Sequence, residues 1–425
     1  MTDERPWFGQ PRGLTVLFLT NMWEQFSYYG MRALLVYYMT KQLMMGQQQS
    51  SYIYGTYTAC AYFTPIVGGV IADRFLGKRW AVIIGASIMA LGHFMMTFES
   101  LFYAALTAIA VGNGLFLPSL PSQVGDLYKR DDPRRPWAFN VYYVGINIGG
   151  FLAPLICGTL GELYGWHYGF GAAGIGMVAG LLIYLWGGRY LPPEQPRATP
   201  EQKAVREGFN RQTILLLLSI AIAVTVFRSA YEQVGNTVAL WADSGIDRHA
   251  GRFAIPMTWF QSLNPLFVML MTPPLLAYWQ RRAARDPHQA LVKRMALGAL
   301  IVAVSYVVVA SVSAASGGHP ASWVWLLLFF AILTFGELFI LPTGLGLFAR
   351  LAPPHLGATT VAAWFLVIFS GSLSAGFVGS LWSRLAPAQF FALLAVLATT
   401  AAALLLVISR YGDRAPPRIT NSSPD

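Results

Sequence analysis

Apolar runs long enough to cross a bilayer recur along the whole chain. A membrane-spanning helix needs about 20 residues. Runs of about that length, separated by short stretches rich in Arg, Gly, Pro and Asp, lie roughly at 14–40, 52–73, 79–98, 101–126, 137–161, 168–190, 213–241, 253–279, 290–314, 322–349, 357–383 and 387–410. In lipid every backbone polar group must be satisfied internally, which at this length leaves the helix as the local structure. The expected fold class is therefore an all-α membrane protein of twelve transmembrane helices. Composition agrees, because 55% of the 425 residues are hydrophobic and only 11% charged, which would be unusual for a soluble protein of this size.

One polar, proline-bearing stretch, residues 191–212, divides the runs into two sets of six. The expected organisation is an N-terminal six-helix bundle (1–190), a cytoplasmic linker (191–212), a C-terminal six-helix bundle (213–410) and a disordered tail (411–425). The net charge of +10 would suit nucleic acid only as a basic patch on a soluble fold. Here the basic residues alternate with the runs instead. Arg74, Lys78, Arg79, Lys129, Arg134, Arg189, Arg281, Lys293 and Arg350 fall in or beside one set of loops, whereas Lys41, Arg248, Arg252 and Arg384 are those of the other. By the positive-inside rule the first set and both termini are cytoplasmic. The lipid bilayer is thus an expected partner, nucleic acid is not, and the protein is placed as multi-pass in the cell inner (plasma) membrane.

The first run carries a polar stripe. Asn21, Glu24, Gln25, Tyr28 and Arg32 recur at three- to four-residue spacing and share one helix face. A carboxylate or guanidinium in hydrocarbon costs several kcal/mol unless it meets protein or water, so this helix lines an interior. Arg32 and Glu232 each lie roughly eighteen residues into their runs, one in each half, hence at similar height. They are expected to form a salt bridge that helps close the outer gate, with Arg228, one helical turn before Glu232, as a competing partner. Cys60 and Cys157 sit in apolar runs without metal-type spacing and are read as packed thiols. No HExxH, paired intramembrane aspartates or Walker-type loop occurs, so no enzyme and no ATP-driven pump is expected.

Gly68-Gly69-Val-Ile-Ala72-Asp73-Arg74-Phe-Leu-Gly77-Lys78-Arg79 resembles the signature of the major facilitator superfamily. The resemblance implies that Asp73 caps a neighbouring helix and that Arg74 and Lys78 bind the interface between spans. Further stretches resemble the proton-dependent oligopeptide transporter family. The first run is similar to ExxERFxYYG, Gly112-Asn-Gly114-Leu-Phe-Leu117-Pro118 to GxGxxKP, and Tyr142-Tyr143-Val-Gly-Ile146-Asn147-Ile-Gly149 to FYxxINxG. Similarity continues in Phe227 to Gly235, Gln261 to Pro265, Gly336-Glu337 to Pro342, and Trp364-Phe365.

That resemblance implies a major facilitator fold and a secondary transporter that imports di- or tripeptides with protons by alternating access. Asn264 and Glu337 would take the peptide amine, Asn147 an amide or terminus, and Tyr28, Tyr29, Tyr62 and Trp364 would line the pocket. Glu24, Arg32 and Glu232 would serve proton coupling or gating. No cofactor is implied beyond protons as coupling ion, and a monomer is expected. The chain departs from the pattern in three charges, because Asn21 and Gln25 replace the first Glu and the Arg of ExxER and Leu117 replaces the Lys of GxGxxKP. Arg32 is then the nearest candidate for a peptide carboxylate. The alternatives are a facilitator or symporter of another small amphipathic solute, and a transporter-derived nutrient sensor.

Overall fold

The computed structural model describes residues 9–129, 132–193, 211–283, 291–351 and 357–412. The first half contains α1 (Arg12–Tyr37), α2 (Gln47–Ile71), α3 (Lys78–Met95), α4 (Phe102–Asp126), α5 (Arg135–Ala153), α6 (Thr159–Leu163) and α7 (Trp166–Gly187). The second contains α8 (Arg211–Tyr231), α9 (Thr237–Ser244), α10 (Leu263–Ala283), α11 (Leu291–Ala315), α12 (Val324–Leu351), α13 (Gly357–Gly379) and α14 (Pro387–Gly412). A π-helical segment, Pro154–Gly158, joins α5 to α6, and a 3-10 segment, Glu232–Gly235, joins α8 to α9. The described residues therefore form twelve helical columns. Nine of these are long and apolar enough to cross a membrane. The columns built on α1, α3 and α10 fall short, α1 because its polar stripe interrupts the apolar run.

Most of the linker expected at 191–212 (residues 194–210) and nearly all of the tail expected at 411–425 (residues 413–425) lie outside the described residues. Two boundaries differ from expectation. The run at 253–279 does not begin as a helix. His249–Ala250 (β2) pairs antiparallel with Phe253–Ala254 (β3), and a 3-10 turn at Met257–Ser262 precedes α10. Gly251 at φ 65° makes the tight turn, and Pro256 lacks the N–H that a helix passing through it would use. A second two-residue ribbon pairs Ile246–Asp247 (β1) in parallel with Ala321–Ser322 (β4). At the other boundary α2 begins five residues before the apolar run, because the three glutamines Gln47–Gln49 continue a helix readily without needing lipid.

Packing follows the two sets of columns. α1 lies against α5 and α7, α2 against α4, and α3 against α4 and α7; α11 lies against α12 and α14, and α8 against α13 and α14. The largest buried cluster draws its members from Ile220 to Leu405, and two others from Leu14 to Leu191. Each half also repeats one device. A Cβ at Gly85 would meet the Gly112 carbonyl oxygen at 2.6 Å, and one at Gly298 would meet that of Gly336 at 2.6 Å. The third and fourth columns of both halves thus cross backbone to backbone, as small residues permit in lipid. Between halves α2 packs on α13 and α5 on α10, with Gly55 and Gly376 so close that a Cβ on the former would sit 2.5 Å from the latter's Cα.

Asp73 does not cap α3, the helix that follows it. Asp73 is exposed in a π-helical turn, Ala72–Leu76, and α3 starts at Gly77 (φ 82°) without a side-chain cap. Arg74 is exposed as well, while Lys78 pairs with Asp126 at 2.6 Å and ties the start of α3 to the end of α4.

Candidate functional site

The polar stripe of α1 faces the interior of the first half and its junction with the second. Its inner part is an orphaned version of an ion-pair cluster. Glu24 is 1% exposed, accepts a 2.7 Å hydrogen bond from Gln25 Nε2, and leaves its other carboxylate oxygen buried without a hydrogen bond among the described residues. Asn21 donates to the Tyr142 carbonyl at 3.2 Å, so it bonds backbone in α5 instead of presenting a charge. Such a carboxylate without a cation is what the changes to Gln25 and Leu117 leave behind.

One turn further on, the stripe reaches the second half. Tyr28 and Tyr29 meet edge to face at 5.5 Å, Tyr28 lies parallel to Tyr57 at 6.5 Å, and Tyr29 packs against Gly150 of α5. Arg32 donates through Nε to the Tyr54 hydroxyl at 2.8 Å and forms an ion pair with Glu232. Arg228 pairs with the other oxygen of the same carboxylate. Two guanidinium groups, one from each half, therefore share one carboxylate, and the competition expected between Arg32 and Arg228 is resolved as simultaneous pairing. The Arg228 guanidinium lies 5.5 Å from the Tyr62 ring centroid and 5.3 Å from that of Tyr231. Tyr62 in turn stacks on Phe365 of α13 at 6.5 Å.

Glu337, at mid-height of α12, forms a separate acidic pole. Asn264 Nδ2 donates to it at 2.6 Å and to Thr334 Oγ1 at 3.0 Å, and Tyr231 lies beside the same carboxylate. Glu337 and Asn264 are both half-buried, so they stay within reach of a solute. Tyr231 was not singled out by sequence reasoning, although it stands one residue before Glu232. It links the two poles, lying beside both Arg228 and Glu337. Asn147 is 7% exposed and donates to its own helix at Tyr143 O (2.9 Å). Trp364 is not on this surface. It is 3% exposed, packs edge to face on Phe348 at 5.1 Å and lies against Gly344, inside the second half.

Polar contacts joining the halves gather at the far end of the bundle, where α1 finishes. Tyr37 donates to Ala239 O at 2.8 Å, Lys41 pairs with Asp243 at 2.7 Å, and Gln47 donates to Gly379 O at 2.9 Å. Glu162, at the end of α6, accepts the backbone N–H of Met257 (3.0 Å) and Thr258 (2.8 Å) and the Thr258 hydroxyl (2.6 Å). A carboxylate of the first half thus caps the 3-10 turn that opens the α10 column of the second, where exposed N–H groups favour negative charge.

Comparison with known proteins places this arrangement. A sequence model described as "POT family" matches residues 79–210 and 201–391. The Di-/tripeptide transporter of Lactococcus lactis subsp. cremoris is 30% identical, with 96% of this chain and 97% of that protein covered. The uncharacterized transporter YclF of Bacillus subtilis is 29% identical over 97% of this chain and 96% of its own length. Among solved structures, a peptide transporter POT in complex with sulfate superposes with a TM-score of 0.89 at 28% identity, covering 96% of each chain. A POT family transporter in complex with 5-aminolevulinic acid does so with 0.87 at 27% identity, covering 96% of this chain and 98% of its own. With membrane-length helices, two packed halves and acidic and basic poles between them, the chain belongs to the POT family of multi-pass membrane transporters.

Proposed function

We propose that this protein is a secondary active transporter that imports di- and tripeptides with protons. The observation that carries the reading is the pair of opposite poles flanking Tyr231, a carboxylate held by Asn264 on one side and a guanidinium cluster on the other. A short peptide presents an amine and a carboxylate whatever its side chains, so a pocket with two fixed poles and aromatic walls suits a broad set of them. The names of the Lactococcus relative and of the matched structures support the same substrate class.

Transport proceeds by alternating access between halves 1–190 and 213–410, with the far-end contacts forming the outer closure and the pocket facing the cytoplasm when they are intact. The protein works in the cell inner membrane as a monomer with both termini cytoplasmic, a placement supported by its loop charges. Coupling requires no cofactor. Protonation of Glu232 releases Arg32 and loosens the outer closure, and Glu24, which has no cation partner among the described residues, is a second proton site. Gln25 and Leu117 favour one other reading, a symporter or facilitator of a different small amphipathic solute. Uptake of a dipeptide panel into energised vesicles, at acidic and at neutral pH, decides between them. The reading expects acid-stimulated uptake that collapses with a protonophore and with Glu232→Gln. Uptake indifferent to pH and protonophore removes proton coupling, and no peptide uptake at all moves the substrate to the second reading.

A further inference from the structure

The buried ion cluster at the junction of the halves is not neutral. Arg32 and Arg228 contribute two positive charges and Glu232 one negative, and the next acid, Glu337, stands beyond the Tyr231 ring. Side chains here are 13%, 4% and 1% exposed respectively, so the surplus charge is held almost out of water. An uncompensated guanidinium in such a place is costly, and a third partner of negative charge offsets it.

Within the cluster Arg228 has unused bonding capacity. Its Nη2 serves Glu232 and reaches Ser372 Oγ at 3.5 Å, but its Nε–H is buried with no acceptor among the described residues. The guanidinium is flanked by rings from both halves, Tyr62 and Tyr231. Its stem packs against Gly371 of α13, where a Cβ would meet Arg228 Cβ and lie 3.1 Å from Cγ. The helix facing Arg228 is thus cut away to admit it. A planar guanidinium held by stacking, with its Nε–H still unpartnered among the described residues, is suited to a carboxylate.

We propose that Arg228 is the specificity-determining residue that binds the anionic end of the solute, doing from α8 what a cation at position 25 or 117 would do in the ExxER and GxGxxKP patterns. The solute's cationic end then lies at Glu337 across the Tyr231 ring, so its two ends are read from one half of the protein. This assignment rests on the peptide reading above.

The test is binding to the purified full-length protein of dialanine and of dialanine amide, which differ only in the C-terminal charge. Wild type is expected to prefer the free acid by at least about tenfold. Arg228→Gln brings that ratio to about one by weakening the acid and leaving the amide unchanged. Arg228→Lys keeps the charge beside Glu232 and is expected to fold even if Arg228→Gln does not; without the planar fork, its ratio falls about threefold. An acid-to-amide ratio unchanged in the folded variants, or a loss shared equally by both ligands, overturns the assignment. A wild-type protein that binds neither ligand overturns the peptide reading and this assignment with it. Binding of both ligands without preference overturns this assignment alone.

Discussion

Replacing Glu162 by Ala should shift the protein toward a state open at the far end. The residue belongs to the first half, yet its hydrogen-bond partners at Met257 and Thr258 belong to the second. Those contacts exist only while that end is closed. Buried hydrogen bonds to a charged group contribute about 1.5–3 kcal/mol each, but on opening water takes the place of the lost donors. The loss of a helix cap, about 1–2 kcal/mol, is therefore the better measure. Arg248 approaches Glu162 at 3.9 Å with its side chain 27% exposed. A pair so open to solvent adds at most about 1 kcal/mol. A bias of about 1–2 kcal/mol changes the ratio of closed to open molecules by about 5- to 30-fold. Spin labels at Met44→Cys and Ser244→Cys, both exposed and in different halves, read this directly by pulsed dipolar spectroscopy once Cys60 and Cys157 are replaced. The expected result is growth of a longer-distance population in Glu162→Ala and an intermediate shift in Glu162→Gln, which keeps the acceptor but not the charge. Distance distributions identical to wild type in a folded Glu162→Ala protein refute the claim that this carboxylate holds the halves together.

Other consequences concern stability and affinity. Gly336→Ala, whose Cβ would lie 2.7 Å from the Gly298 carbonyl oxygen, should cost about 1–3 kcal/mol and lower the melting temperature, whereas Gly171→Ala inside α7, with nothing within 4 Å of its Cβ among the described residues, should leave it unchanged or slightly raised. His93 is fully buried with neither ring nitrogen hydrogen-bonded among the described residues, so His93→Phe should raise the melting temperature through relief of a desolvation cost of about 1–3 kcal/mol; a clear drop in both His93→Phe and His93→Leu counts against that reading. Tyr231→Phe removes the hydroxyl of the tyrosine beside Glu337 and should weaken peptide affinity by about fivefold, the equivalent of one hydrogen bond, with an unchanged affinity counting against Tyr231 as part of the pocket.

The architecture was legible because hydropathy and loop charge act over whole helices, and a few misplaced ends do not alter which segments are apolar. Heights were legible too, since 1.5 Å per residue put Arg32 level with Glu232. Azimuth was not. Adjacent residues on a helix point about 100° apart, so Phe365 reaches Tyr62 across the junction while Trp364 turns into the second half. Tyr231 was missed for a related reason: nothing in its spelling distinguishes a ring that fills space from one that joins two poles. The π-helical turn at Ala72–Leu76 was not legible either, because the motif contains no sign of the wider winding.

The touching backbones of Gly55 and Gly376 make that crossing a fulcrum, and the arms on its two sides are unequal. From Gly376 the helix runs about 28 Å to the Gly357 end, at 1.5 Å per residue, but continues only about 14 Å to Arg384 through a 3-10 turn at about 2.0 Å per residue. A rocking of about 10° would displace the long arm by about 5 Å and the short arm by about 2 Å. Two ångströms is small for a cavity mouth, yet it exceeds the stretch that the hydrogen bond from Gln47 to Gly379 O survives, since such bonds weaken beyond about 3.5 Å. On such a rotation the short arm would act as a latch that is shut or released, while the long arm would convert the same rotation into a graded opening wide enough to let a solute leave.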